Sequence, residues 1–364
     1  MSRTMESLES LFARVVAEDR RKYDVIADTR SMNVGVRMTD EDKGGDVELD
    51  LDTKGEELRS FRLTPHCLGQ ISTDLGIPKK YFDRMKVEAP LLFEQNVRHW
   101  MRTEPKARMI RGYTNEGGQM MTGRAWMSNK FRRLDNIEIA RTLLPEFDNL
   151  GTEVSFHQAA VTDTRLYIRA LFPQIERDVK HVGDTVRWGV EIGNSEVGAG
   201  SLTIKGFVLK LSCTNGMTAA KVLNTRHVGR REDEGVLSNQ ALEADDVAFW
   251  LAARDTLRHV CSESAFETVV AQLRDAATST EIVSPIAATE VLAQSVGLSK
   301  DEQENVLLSL VGEGDLSRWG ALNAITDAAK QAESFDRQAE MEAIGWDVAN
   351  MPASAWEKVA LAVR

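Results

Sequence analysis

The spacing of apolar residues changes character along this chain, and that change limits the folds open to it. From residue 106 to about 211 apolar positions recur every second residue in short runs, the period of a strand with one buried face. KARMIRGYT and GQMMTGRAWMS flank NEGG (115–118), a hairpin signal. TEVSFHQAAV, RLYIRALFP and VRWGVEI follow, the last alternating Val186, Trp188, Val190 and Ile192. From about residue 233 the spacing becomes helical, in AFWLAARDTLRHV, FETVVAQLRDA, SKDEQENVLLSL and SRWGALNAITDAAKQ. A run of strands followed by a run of helices implies an α+β fold. The expectation is a central antiparallel sheet packed on helices, with a helical C-terminal region.

Finer expectations follow from local chemistry. In SLTIKGFVLKLSC the apolar parity shifts across Gly206, from Leu202 and Ile204 to Phe207, Leu209 and Leu211, which predicts a β-bulge. KLSCTNGMTAAK predicts a strand ending near Cys213, a turn at Asn215-Gly216, and a helix seated by Met217 and Val222. Residues 1–30 suggest a charged amphipathic helix. DVELDLDTK (46–54) alternates as a strand, and 63–85 reads as two short helices with Pro65 and Pro78 in first turns. Asp135, with Glu138 three residues on, predicts a helix cap, and Ser299 with Glu302 a capping box. Trp319, Leu322, Ile325 and Ala329 form one helical stripe. The expected divisions are 1–100, 101–232 and 233–364, with a linker near 231–246.

Charge is partitioned. The whole chain carries net -11, yet residues 101–230 hold 19 Lys+Arg against 13 Asp+Glu, and residues 231–364 hold 10 against 24. A basic middle offers local positive potential to a polyanion whatever the total. Three widely spaced cysteines, Cys67, Cys213 and Cys261, suit reduced thiols in a cytosol better than a disulfide framework. No signal peptide and no bilayer-length apolar run is expected.

Several chemistries fit poorly. Gly118 to Gly123-Arg124-Ala125 lacks the Lys and Ser/Thr of a P-loop and sits in a hairpin, which argues against nucleotide hydrolysis there; Gly198 and Gly200 lack the third glycine and following helix of a dinucleotide fingerprint, so no cofactor is expected. His66-Cys67 and His259/Cys261 have no evident mates for zinc. The acidic face Asp46, Glu48, Asp50, Asp52, with Lys54, leaves open a Mg²⁺-dependent nuclease; it is equally the solvated face of an amphipathic strand.

The basic segments carry the strongest functional signal. Lys106, Arg108 and Arg111 lie near Tyr113, and Arg124, Lys130, Arg132 and Arg133 near Trp126 and Phe131. Cations neutralise phosphates and aromatic faces stack on unpaired bases, the chemistry of sequence-tolerant single-strand binding. Lys205, Lys210, Lys221, Arg226, Arg230 and Arg231 would extend such a track. The same residues read equally well as core aromatics with solubilising cations.

The order of GRAWMSNKFRRLDNIEIARTL, KLSCTNGMTAAK and SRWGALNAITDAAKQ resembles a phage- and plasmid-encoded family catalogued as a domain of unknown function, over most of residues 60–330. Phe131 stands where that family often has a tyrosine. The resemblance implies a mobile-element origin and brings no catalytic residues. More distantly, the arrangement is similar to single-strand annealing proteins of the Red-beta type, which implies a ring or filament of copies holding single-stranded DNA in a basic groove. The leading expectation is therefore an ATP-independent single-stranded DNA-binding and annealing protein, not an enzyme, acting without membrane contact and with a host single-strand-binding or replication protein as a further partner. A host-interacting phage protein, working through its acidic helices, is the other reading.

Overall fold

The computed structural model describes residues 7–37, 46–52, 59–115, 120–212, 215–225 and 239–363. Its first unit is a six-stranded mixed sheet. Helix α1 (Leu8–Arg21) starts at Ser7, whose hydroxyl accepts from the Ser10 amide at 3.1 Å. It leads directly into β1 (Lys22–Asp28), so the expected N-terminal helix is shorter than residues 1–30. After β2 (Met32–Arg37), β3 (Asp46–Leu51) and β4 (Arg59–Leu63) come α2 (Pro65–Asp74), α3 (Lys79–Glu88) and α4 (Pro90–Thr103), then β5 (Ala107–Thr114) and β6 (Met121–Ser128). The strand order is β1-β5-β6-β4-β3-β2, antiparallel except where β4 runs parallel to β6. Strands from both sides of residue 100 share this sheet.

Local chemistry explains these helices. Thr64 caps α2 and Pro65 fills its first turn, where a missing N–H is harmless. Pro78 stands at the cap position of α3 rather than inside it. Phe93, Val97 and Met101 recur every fourth residue of α4 and are buried with Met32, Val34, Leu49, Phe61, Phe82 and Ile110. Each large side chain buried this way contributes about 1.5–3 kcal/mol.

The second unit is a five-stranded antiparallel meander. After the short helices α5 (Asn136–Thr142) and α6 (Pro145–Asp148), strands β7 (Ser155–Val161), β8 (Leu166–Asp178), β9 (Thr185–Asn194), β10 (Leu202–Lys210) and β11 (Asn215–Thr225) lie side by side in chain order. One face, with Ile168, Ala170, Trp188, Val190, Ile192, Ile204 and Val208, meets α1, α5, α7 (Asn239–Val260), α8 (Glu263–Ala277) and α11 (Arg318–Ala328). The helices α9 (Pro285–Val296), α10 (Lys300–Glu313), α12 (Phe335–Ala349) and α13 (Ala353–Ala360) pack with α11 around a separate core. The α+β expectation holds, with a mixed sheet beside the antiparallel one. The capping box at Ser299 and Glu302 is present, and Trp319, Leu322, Ile325 and Ala329 are all buried.

One local expectation fails and another holds in part. The segment after Asn215-Gly216 is strand β11, not a helix; it pairs with β10 from Lys210↔Asn215 to Leu202↔Thr225. Pairing satisfies the open backbone edge of β10, which a helix there would leave bare. Asn215 and Gly216 thus belong to a strand, while Cys213 lies outside the described residues. The irregularity predicted at Gly206 is present in the pairing of β10 with β11, whose register shifts on both sides of Lys205, with the extra residues on β11. On its other edge β10 pairs with β9 without a slip from Thr203 to Lys210. Apolar residues occur at both parities because Phe207, Leu209 and Leu211 pack with Leu171 on the second face.

Candidate nucleic-acid interface and charge network

The predicted cations do not form one track. The structure divides them into separate groups, most of them ion-paired within the chain.

The first group is a joint between the two sheets. Arg111 on β5 is 3 % exposed. Its guanidinium reaches Asp24 at 3.1 Å and Asp135 at 2.7 Å, and donates to the Glu196 carbonyl at 3.0 Å. Arg124 on β6 meets Glu196 Oε2 at 3.2 Å and stacks on the Tyr113 ring, 4.3 Å from its centroid. Lys22 Nζ closes the joint at 2.6 Å from Glu196 Oε1, and the Asn136 amide donates to the same oxygen at 2.7 Å. Burial would weaken the charge on Arg111, but Asp135 and Asp24 outweigh it and hold the guanidinium more firmly protonated. Burial would likewise raise the Asp135 carboxyl, yet Arg111 and Lys22 keep it below its ordinary value. Asp135 stands at the N-cap of α5, as expected, but makes no capping hydrogen bond, because its carboxylate serves Arg111 instead.

The second group lines an open cleft of about 730 Å³ between α2, the start of α3 and the paired ends of β5 and β6. Arg108 grips Asp74 through two bonds of 2.9 and 2.6 Å. Lys106 Nζ lies 3.5 Å from the same carboxylate, and the Trp126 indole N–H donates to it at 2.9 Å. Burial opposes ionisation of Asp74, but the hydrogen bonds from Arg108 and Trp126 prevail and its pKa falls. Trp126 is 4 % exposed and packs in the core of the mixed sheet, so it offers no face for a base to stack on. His66, Gln70 and Asp74 stand four residues apart along α2, and all three line the cleft with Lys79. Their i, i+4, i+8 spacing is a signal in the sequence that puts the three side chains on one helix face. His66 Nε2 lies 2.9 Å from the Val197 carbonyl, and Gln70 Nε2 donates to that oxygen at 2.8 Å.

The remaining predicted residues are scattered. Phe131 is half-buried against Met109, Met127 and Val197, and Lys130 is half-buried beside it. Arg132 pairs with Asp245 at 3.2 Å and Asp246 at 2.7 Å, over the Phe249 ring. Arg133 is half-exposed and 3.4 Å from Asp24. Lys210 is buried over Trp319, 3.6 Å from Asp184 and 3.7 Å from Glu313. Lys205 lies on the second face of the meander, opposite Lys221 in the ladder. The side chain of Lys221, and the whole of Arg226, Arg230 and Arg231, lie outside the described residues.

The acidic strand β3 is committed elsewhere. Asp46 faces Arg62 at 3.2 Å, Glu48 faces Arg37 at 3.0 Å, and Asp50 accepts from Ser60 at 2.5 Å. Among the described residues no group of three His, Cys, Asp or Glu side chains is placed to hold a metal. Lys54 lies outside them. Cys67 and Cys261 are buried thiols, the latter pushed up to about 12 by burial. Among the described residues no helix is long and apolar enough to cross a membrane. The chain matches no protein-family model, no curated protein and no solved structure.

Proposed function

We propose that this chain binds single-stranded nucleic acid in the cleft between α2 and the β5–β6 hairpin, and anneals it without ATP. The observation that carries the reading is the charge of that cleft. Lys79 and Arg108 line it, Lys106 shares the Asp74 carboxylate with Arg108, and exposed Lys80 follows Lys79. Against these four cations stand two carboxylates, Asp74 and Asp83, the latter paired with Lys79. The surplus is positive, on an open surface a backbone of phosphates can reach. Tyr81, 45 % exposed in the same turn as Lys80, takes the stacking role that Trp126 is too buried to play.

In this reading Arg111, Arg124 and Lys210 hold the frame and do not touch the strand. Lys130 and Arg133 extend the positive field. The resemblance to the phage and plasmid family and to the annealing proteins supports a mobile-element role in the bacterial cytosol, as a ring or filament of copies meeting a host single-strand-binding or replication protein.

Fluorescence anisotropy of a labelled single-stranded oligonucleotide tests this. Affinity is expected to fall linearly on a log–log plot against salt, by about 0.7 per phosphate neutralised. Lys79→Ala with Lys80→Ala should weaken binding on the order of tenfold, equivalent to about 1.4 kcal/mol, and flatten the slope. Arg84→Ala, which removes a cation already paired with Glu88 in the same helix, should change little. No binding at low salt, or an affinity indifferent to salt, sinks the proposal.

A further inference from the structure

Beside the apolar cluster of Leu171, Phe207 and Leu209, the second face of the antiparallel meander carries a row of polar and charged residues. Successive cross-strand partners on it are Gln158, Arg169, Glu191 and Lys205. Arg169 is fully buried beneath α12, bonded to Glu191 at 2.8 Å and to Glu342 of that helix. One row along, the Tyr167 hydroxyl donates to Asp336 at 2.9 Å, while Phe335 packs on the Tyr167 ring. Buried charges persist only when paired and hydrogen-bonded, and α12 supplies the partners for this half of the face.

Beyond the edge of α12 the face is not filled. A pocket of about 250 Å³ opens there, lined by Arg165, Tyr167, Glu191, Ser201, Thr203 and Lys205 among others. Two glycines keep it open. A Cβ on Gly193 would lie 2.8 Å from the Thr203 hydroxyl, and one on Gly200 would lie 3.1 Å from the Arg165 guanidinium. Arg165 is not loose at the rim, since its guanidinium donates to the Ala199 carbonyl. Glu191 is held in place by Arg169 and by Thr218, whose hydroxyl lies 3.4 Å from Oε2.

The chemistry of this lining is two-sided. Arg165 and Lys205 are cations, and Ser201 and Thr203 add hydroxyl donors, a set suited to the oxygens of a phosphate. Glu191 is a fixed acceptor, suited to a ligand hydroxyl. A bare anion would satisfy only half of it, and the volume is small for a drug-sized molecule.

We propose that this pocket binds a small hydroxylated phosphate, with Arg165, Lys205, Ser201 and Thr203 on the phosphoryl oxygens and Glu191 on a ligand hydroxyl. The site is separate from the α2 cleft and does not depend on the nucleic-acid reading. The same phosphate chemistry has a second source in the 5′ end of a nucleic-acid strand, and the test separates the two.

Isothermal titration of the full chain with ribose 5-phosphate, inorganic phosphate, and a 5′-phosphorylated oligonucleotide beside its unphosphorylated twin is the experiment. Ribose 5-phosphate is expected to bind saturably and at least tenfold tighter than phosphate. Arg165→Gln, at an exposed rim position, should weaken it at least tenfold with the melting temperature unchanged, and Arg165→Lys should restore part of the loss. Thr203→Val should weaken it less. No saturable binding of ribose 5-phosphate, or binding that Arg165→Gln leaves intact, overturns the site. Equal affinity for phosphate overturns the role of Glu191. A 5′-phosphorylated oligonucleotide that binds tighter than both its twin and ribose 5-phosphate overturns the small-molecule assignment in favour of a strand end.

Discussion

Arg111 shows how a single residue can carry the signature of binding and do structural work instead. Its side chain joins β1, β5, α5 and the loop after β9 through Asp24, Asp135 and the Glu196 carbonyl. Removing one partner of a buried charge cluster leaves the others uncompensated, at about 3–5 kcal/mol. Arg111→Met should therefore lower the unfolding free energy read from urea denaturation by that order, whereas Arg133→Ala, 51 % exposed on its side chain, should change it by about 0.5 kcal/mol or less. Equal effects from the two would contradict the joint. The joint also has an acid limit. Asp135 titrates below its ordinary value of 3.8 in the folded chain, so the stability it contributes is complete above that value and drains away as pH falls through the lower, folded one. Nothing in KARMIRGYT distinguishes this arginine from a phosphate contact, because its three partners, two carboxylates and a backbone carbonyl, lie 24 to 87 residues away in the chain.

At the scale of elements, sequence period and local chemistry carried most of the assignment. The hairpin of β5 and β6, the proline in the first turn of α2, the capping box of α10 and the stripe of α11 follow from nearest neighbours and short spacings, so they were legible. Strand β11 was not, since MTAAKVLNT suits a helix locally and only pairing with β10 decides otherwise. Gly216 marks the difference. It sits opposite Leu209, and a Cβ there would lie 2.7 Å from the Phe207 ring. As a turn residue it would tolerate alanine; as a strand residue under an aromatic ring it should not. Gly216→Ala is expected to cost about 1–3 kcal/mol by overpacking, read from chemical denaturation. A neutral result would return Asn215-Gly216 to a turn. The α2 cleft lies between these cases: His66, Gln70 and Asp74 are evenly spaced in the sequence, but the β5–β6 wall opposite them is a tertiary fact.

At the scale of the whole molecule, the charge partition becomes an internal contact. Acidic residues of the C-terminal region reach back to cations of the basic middle: Asp245 and Asp246 to Arg132, Glu263 and Glu267 to Arg177, Glu313 to Lys210, and Asp315 in the α10–α11 loop to Lys180. Counts of charge along the chain pointed to two regions of opposite sign but could not say that they neutralise one another. Pairs such as Arg177 with Glu263 and Glu267 are solvent-exposed and contribute little to stability, so removing their carboxylates should leave the fold intact. It would also release positive potential from the basic middle. A variant carrying Asp245→Asn, Asp246→Asn, Glu263→Gln and Glu267→Gln should therefore bind a single-stranded oligonucleotide several-fold tighter at low salt, with a steeper dependence on ionic strength. If the C-terminal acids compete with a polyanion for the basic middle, the gain should vanish as salt screens both. An affinity unchanged by the four substitutions, with folding preserved, would mean that these helices neutralise the middle for packing alone and that any nucleic acid engages the chain elsewhere.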